Sequence, residues 1–209
     1  MSQVKSVLIT GCSTGIGLDA ALTLKQQGFD VYATARKVQD VENLRELGLN
    51  SKLLDLTDEL SIKNALIWVL EQTGGSLHAV FNNGAFGQPG AIEDLPTTAL
   101  KEQFETNFFG WHNLTKQVIP IMRQQGFGRI IQNSSVLGLV AMPYRGAYNA
   151  SKFAIEGYTD TLRLELRGTD IQVSLIEPGP IESQFRANAL EKFKQYIDRE
   201  GSVHKDKYA

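Results

Sequence analysis

Apolar positions along the chain gather into short, nearly unbroken runs separated by longer stretches of mixed polarity. The runs are KSVLIT, DVYATAR, SKLLDL, LHAVFNN, GRIIQNSS and IQVSLIEPG, and β-branched residues are concentrated in them. Polar residues do not alternate with apolar ones as they would on a strand with one wet face. Such runs are expected of a parallel sheet covered on both sides. Helix-length segments between them begin near Gly15, Val38, Asp58, Pro96 and Tyr148. The alternation predicts an α/β fold built on a doubly wound parallel sheet. Ligands of such sheets bind beyond the carboxyl ends of the strands, so the residues that follow each run are the candidates for chemistry.

The first run is followed by TGCSTGIG, in which Gly11, Gly15 and Gly17 lead into a helix, with Ser13 and Ile16 between them. Glycines let the backbone approach a pyrophosphate closely, and the free N–H groups and dipole of the helix start meet its charge. A strand before this turn and a helix after it give the context that a dinucleotide site requires. The spacing is GxxxGxG, not GxGxxG. At the end of the second run, where an acidic residue would hold an unmodified ribose, the chain has Ala35, Arg36 and Lys37. A carboxylate there would repel a 2′-phosphate, whereas arginine offers a planar fork of donors. These residues favour NADP(H).

Composition narrows the classes without choosing among them. The 209 residues, 42% hydrophobic and 21% charged, describe one globular domain. Residues 1–182 read as its dinucleotide-binding and catalytic body, and 183–209 as a helical tail of the same domain. A net charge of −2, without a block of like charges, gives no footprint for nucleic acid or an anionic membrane. A lone cysteine, Cys12, and three scattered histidines, His78, His112 and His204, offer no disulfide framework and no metal site. The chain opens directly on a strand pattern instead of a leader. No window reaches the roughly 20 apolar residues of a membrane span. The expectation is a cytoplasmic protein that acts on a small molecule and does not insert into a membrane.

Tyr148 and Lys152 stand one helical turn apart in AYNASKFAIEG, and Ser135 lies 13 residues before the tyrosine (148 − 135). An isolated YxxxK is usually an amphipathic helix with a snorkelling lysine. Together with TGxxxGxG and the spaced serine, it resembles the short-chain dehydrogenases/reductases, a Rossmann-like family. The resemblance runs from Val4 to about Phe185. TARK, NFFG and SLIEPGPI are most similar to the branch of NADP(H)-dependent aldehyde and ketone reductases and hydroxysteroid or retinol dehydrogenases.

The resemblance implies hydride transfer between a nicotinamide and a carbonyl or alcohol, with Tyr148 as acid and Ser135 on the substrate oxygen. Lys152 would bond the nicotinamide ribose and lower the tyrosine pKa, while Asn107 would hold a water of the proton relay. Asp55 matches the residue on the adenine amino group and Leu56 follows it; Asn82 and Gly84 belong to the segment beside the adenine. Pro178, Gly179 and Ile181 would face the nicotinamide and its carboxamide, and Ser183 stands where threonine is usual. A homodimer or homotetramer is also implied.

Two departures accompany the likeness. The usual Asn-Asn-Ala-Gly reads Asn82-Asn83-Gly84-Ala85 here, and the chain ends where a further strand is usual. The polar tail carries Phe185, Leu190, Phe193 and Tyr196 as an apolar stripe that could cover the nicotinamide end, and a mobile tail is expected. Sugar-nucleotide epimerases and dehydratases share YxxxK but usually carry GxxGxxG and a long substrate domain. A non-catalytic NADP(H)-binding module would be expected to lose Ser135, Tyr148 or Lys152.

Overall fold

A computed structural model of the chain describes residues 4–208. Six parallel strands make one sheet: β1 (Ser6–Ile9), β2 (Asp30–Ala35), β3 (Asn50–Leu53), β4 (Ala79–Asn82), β5 (Gly128–Asn133) and β6 (Ile171–Ile176). Their order is β3-β2-β1-β4-β5-β6, so the direction of winding reverses between β1 and β4. That reversal opens the crevice at the carboxyl ends of the two strands.

Both faces of the central strands β1, β2 and β4 are dry, whereas the edge strands β3 and β6 are partly exposed. On β1, Val7 and Ile9 join a cluster with Val31, Ala33, Val41 and Leu44. Leu8 points the other way, into a cluster with Ile62, Trp111, Leu114, Ile130 and Ile155. Alternate residues of one strand thus enter opposite cores. β6 is an edge strand, and its last residue, Ile176, is exposed.

The helices are α1 (Gly15–Gln26), α2 (Val38–Glu46), α3 (Glu59–Thr73), α4 (Thr97–Phe104), α5 (Gly110–Gln125), α6 (Gly146–Glu165) and α7 (Phe185–Tyr196). Asp58 caps α3 by accepting the Leu60 N–H at 2.9 Å, and Gly74 ends that helix in the left-handed region at φ 67°. Between α4 and α5 the backbone widens into a π-helical turn, Glu105–Phe109. Such turns are frequent at functional sites, and the sequence pattern gave no sign of this one. Among the described residues no helix is long and apolar enough to cross a membrane.

The tail is tied to the body, contrary to the mobile segment expected. Ile197 is buried against Gly90, where an added Cβ would lie 2.6 Å from its Cδ1. Ser202 and Tyr208 both donate to Asp94 at 2.5 Å, the Tyr208 hydroxyl accepts the Ala91 N–H at 2.7 Å, and His204 meets Glu93 at 2.6 Å. Polar contacts share this anchorage with Ile197, and neither lies in the apolar stripe, so the stripe alone gave a poor guide to it.

Candidate active site

The glycine turn is shaped by close backbone approach. Gly11 has φ 69°, and a Cβ on it would fall 2.5 Å from Gly84 Cα. A Cβ on Gly17 would fall 2.4 Å from the Gly11 carbonyl oxygen, and one on Gly84 would lie 2.9 Å from Leu56 Cδ1. An alanine at position 84, usual in the family, would be met by a shift of the Leu56 side chain, whose Cδ1 is the flexible end. Asn83, which the sequence reading did not single out, holds the turn together. Its side chain donates to the carbonyls of Thr10 and Gly11 at 2.9 and 3.0 Å and accepts from Asn133 at 2.8 Å.

A cleft of about 460 Å³ opens above this turn. Gly11, Ser13, Arg36, Lys37, Asp55, Leu56 and Gly84, all singled out in the sequence, line it together. Gly15 begins α1 beside Ser183, whose Cβ would lie 3.2 Å from an added Gly15 Cβ, and Ile16 packs into the α1-side core. One carboxylate oxygen of Asp55 accepts from the Thr57 N–H and hydroxyl at 2.9 and 2.8 Å, so this residue also forms its turn. Asn82 differs from expectation. Its buried amide donates to Thr115 at 3.1 Å and Gln132 at 2.9 Å, so the side chain ties β4 to α5 and β5 and does not face the cleft.

The remaining groups gather at the far end of the crevice. Lys152, 1% exposed, donates to the Asn133 carbonyl at 2.6 Å. Its ammonium lies 4.5 Å from the Trp111 ring centre and 5.5 Å from that of Tyr148. Trp111, buried and fixed by an N–H bond to the Gly84 carbonyl at 2.8 Å, therefore gives the lysine a cation–π partner that the sequence reading missed. Ser135 caps the short turn Val136–Gly138 by accepting the Leu137 N–H at 3.1 Å. The Pro178 carbonyl accepts the Val136 N–H at 3.2 Å, which brings the Pro178-Gly179 turn beside Ser135. Ile181 is exposed. Asn107 sits in the π-helical turn, 0% exposed, with both ends of its amide on the Phe86 backbone at 3.1 and 3.0 Å. It clamps the loop after β4, and its amide nitrogen also lies 3.3 Å from the Ser151 hydroxyl of α6.

Burial sets the titration of this end. It raises the Tyr148 hydroxyl above its ordinary value, with a hydrogen bond to Ser135 opposing the rise, so the depression expected from Lys152 is not what this structure gives. Burial also pushes Lys152 down to about 7, with Glu156 opposing it. The lysine's folded value is thus below its unfolded one. Between about 7 and the ordinary 10.5 the unfolded chain binds more protons, and stability from this group rises with pH. Denaturant unfolding at pH 7 and 8.5 should show a gain on the order of 1 kcal/mol per pH unit, absent in Lys152→Met. The raised Tyr148 and Cys12 groups act only at higher pH. Equal slopes in both proteins would contradict a neutralising burial of this amine.

The open cleft does not reach these residues. Phe185, at the start of α7, packs edge-on to Tyr148 with ring centres 5.5 Å apart, and its ring limits the space at Gly87. The stripe's first member thus lies over Tyr148, while Gln184, Asn188, Glu191, Lys192 and Gln195 line the open cleft. Leu190 is exposed, Phe193 packs on Tyr208, and Tyr196 donates to Glu102.

Comparison with known proteins agrees with this geometry. The family model described as short chain dehydrogenase matches residues 5–194, and the chain belongs to that family of oxidoreductases. It is 49% identical over 184 residues to an uncharacterized oxidoreductase, YbbO, of Escherichia coli, covering 88% of this chain and 68% of that protein. Retinol dehydrogenase 8 of Bos taurus is 36% identical over 198 residues, covering 90% of this chain and 62% of that protein. A solved variant of actinorhodin polyketide ketoreductase with NADPH superposes with a TM-score of 0.84 at 28% identity, over 100% of this chain and 81% of that one. The family's nicotinamide cofactor fits the cleft above this turn, where Gly11 and Gly84 present backbone without a side chain and Arg36 and Lys37 supply positive charge. Among the described residues no group of His, Cys, Asp and Glu could hold a metal ion.

Proposed function

We propose that the protein is an NADP(H)-dependent oxidoreductase that interconverts a lipophilic carbonyl compound and its alcohol. The observation that carries this reading is the convergence of Ser135, Tyr148 and Lys152 at the end of β5, beyond the cleft that Arg36 lines at the end of β2. Apolar residues near that end, Leu139, Val140 and Met142, support a lipophilic substrate. So does the likeness to a protein named as a retinol dehydrogenase.

Gly11, Gly15 and Gly17 would hold the pyrophosphate, Asp55 and Leu56 the adenine, and Pro178, Gly179, Ile181 and Ser183 the nicotinamide side. When bound, the reduced nicotinamide supplies the hydride. Negative charge then develops on the carbonyl oxygen, and stabilising it is the largest task. Ser135 donates a hydrogen bond to that oxygen. Tyr148, kept protonated by its buried setting, passes its hydroxyl proton to the same atom. Lys152 in its protonated form holds an ammonium beside the Tyr148 ring, where positive charge favours the phenolate left behind. Phe185 excludes water from the exchange, which strengthens each of these interactions.

The 2′-phosphate preference has its own test. Arg36→Asp should reverse the order of NADPH and NADH affinities measured by fluorescence titration. Equal affinities in the parent protein would remove the argument from Ala35, Arg36 and Lys37.

A further inference from the structure

α7 brings a cation to the coenzyme cleft that no sequence motif marks. Lys192 lines the same cleft as Arg36 and Lys37, from the opposite wall. Its side chain is 22% exposed, its ammonium lies 5.2 Å from the Phe86 ring centre, and it is paired with Glu102 of α4. The helix is fixed there, because the Lys192 carbonyl accepts from Gln88 at 3.4 Å and Tyr196 donates to the same Glu102 carboxylate at 2.5 Å.

Glu102 reports which charges share this neighbourhood. Burial alone would raise its carboxyl. Hydrogen bonds from Lys192 and Tyr196, followed by the charges of Lys192 and Arg36, hold it below the ordinary value. A single carboxylate therefore feels cations from both β2 and α7, in a cleft that Asp40, Asp55 and Glu191 also line. A phosphate carries more charge than that carboxylate and more acceptor oxygens.

We propose that Lys192 is a specificity-determining residue for the coenzyme, a cation for the 2′-phosphate that reaches from α7 towards Arg36, with Glu102 as its counter-ion. The inference rests on the NADP(H) reading and deepens it. Lys192 needs only to exchange one anion for another, so α7 can stay docked through Tyr196, Ile197 and the contacts at Asp94.

Dissociation constants of NADPH and NADH for the parent, Lys192→Met and Glu102→Gln, taken with their melting temperatures, test the proposal. Methionine keeps the stem over Phe86 and removes the charge. Lys192→Met should weaken NADPH about tenfold, the worth of one charge-assisted hydrogen bond, and change NADH less than about twofold. Glu102→Gln removes the competing carboxylate and should leave NADPH binding equal or tighter. If Lys192 is only a strut that docks α7, both variants will weaken both coenzymes alike, and the proposal falls. A parent that prefers NADPH, with a Lys192→Met variant that shows no selective loss, overturns this inference and leaves Arg36 standing. A parent without preference overturns both.

Discussion

Tyr148→Phe is expected to lower turnover by at least about a hundredfold, within the range a positioned general acid supplies, while NADPH affinity changes by less than about twofold. The reasoning is local. Only the hydroxyl is removed, and the ring that packs against Phe185 remains. The neighbouring Lys152 keeps its bond to the Asn133 carbonyl, because that contact does not involve the phenol. Rate and affinity should therefore separate. Single-turnover oxidation of bound NADPH, alongside a fluorescence titration, measures both. A variant that keeps more than about a tenth of the parent rate, roughly 1.4 kcal/mol in barrier, would assign the proton to another group.

The second large effect is expected of Gly17→Ala. Its new methyl would lie 2.4 Å from the Gly11 carbonyl oxygen and 2.5 Å from the Asn83 amide nitrogen, and neither is the loose end of a flexible chain. Asn83 is held by Thr10, Gly11 and Asn133 at once. The methyl can be admitted only if the turn moves, and with it the backbone N–H groups offered to the pyrophosphate. NADPH binding should weaken by well over tenfold, about 1.4 kcal/mol, and the melting temperature should fall. Gly157 in α6 is the control, since nothing lies within 4 Å of a Cβ there. Gly157→Ala should stabilise by about 0.5–1 kcal/mol and leave binding alone. Parent-like affinity and melting in Gly17→Ala would refute the close-approach account of the turn.

The sheet was legible because its central strands are buried on both faces, and that burial writes continuous apolar runs into the sequence. Their carboxyl ends were less so. The run SKLLDL suggested a strand to Leu56, but β3 stops at Leu53 and the next residues turn into the cleft. Ser135, Tyr148 and Lys152 were expected together from motif spacing, and the fold brings them to one place at the end of β5. Residues that act through orientation could not be read in this way. Whether the Asn82 amide faces the cleft or the core depends on Thr115 and Gln132, which lie 33 and 50 residues away. The sense of the Tyr148 shift was missed for a related reason: one turn of helix brings the lysine near, but burial, a property of the whole fold, outweighs it. Lys192 carries no motif at all. Only the packing of α7 against α4 puts it opposite Arg36.

The central claim is a hydride transfer that needs Tyr148, and a stoichiometric assay tests it most directly. The protein would be mixed with NADPH and a panel of lipophilic aldehydes, ketones, steroids and retinoids, with coenzyme oxidation followed by absorbance and alcohol formation by mass spectrometry. The account predicts at least one carbonyl for which one alcohol forms per NADPH consumed, and loss of both signals in Tyr148→Phe. Tight NADPH binding with no consumption across the panel, or equal consumption by Tyr148→Phe, would contradict it.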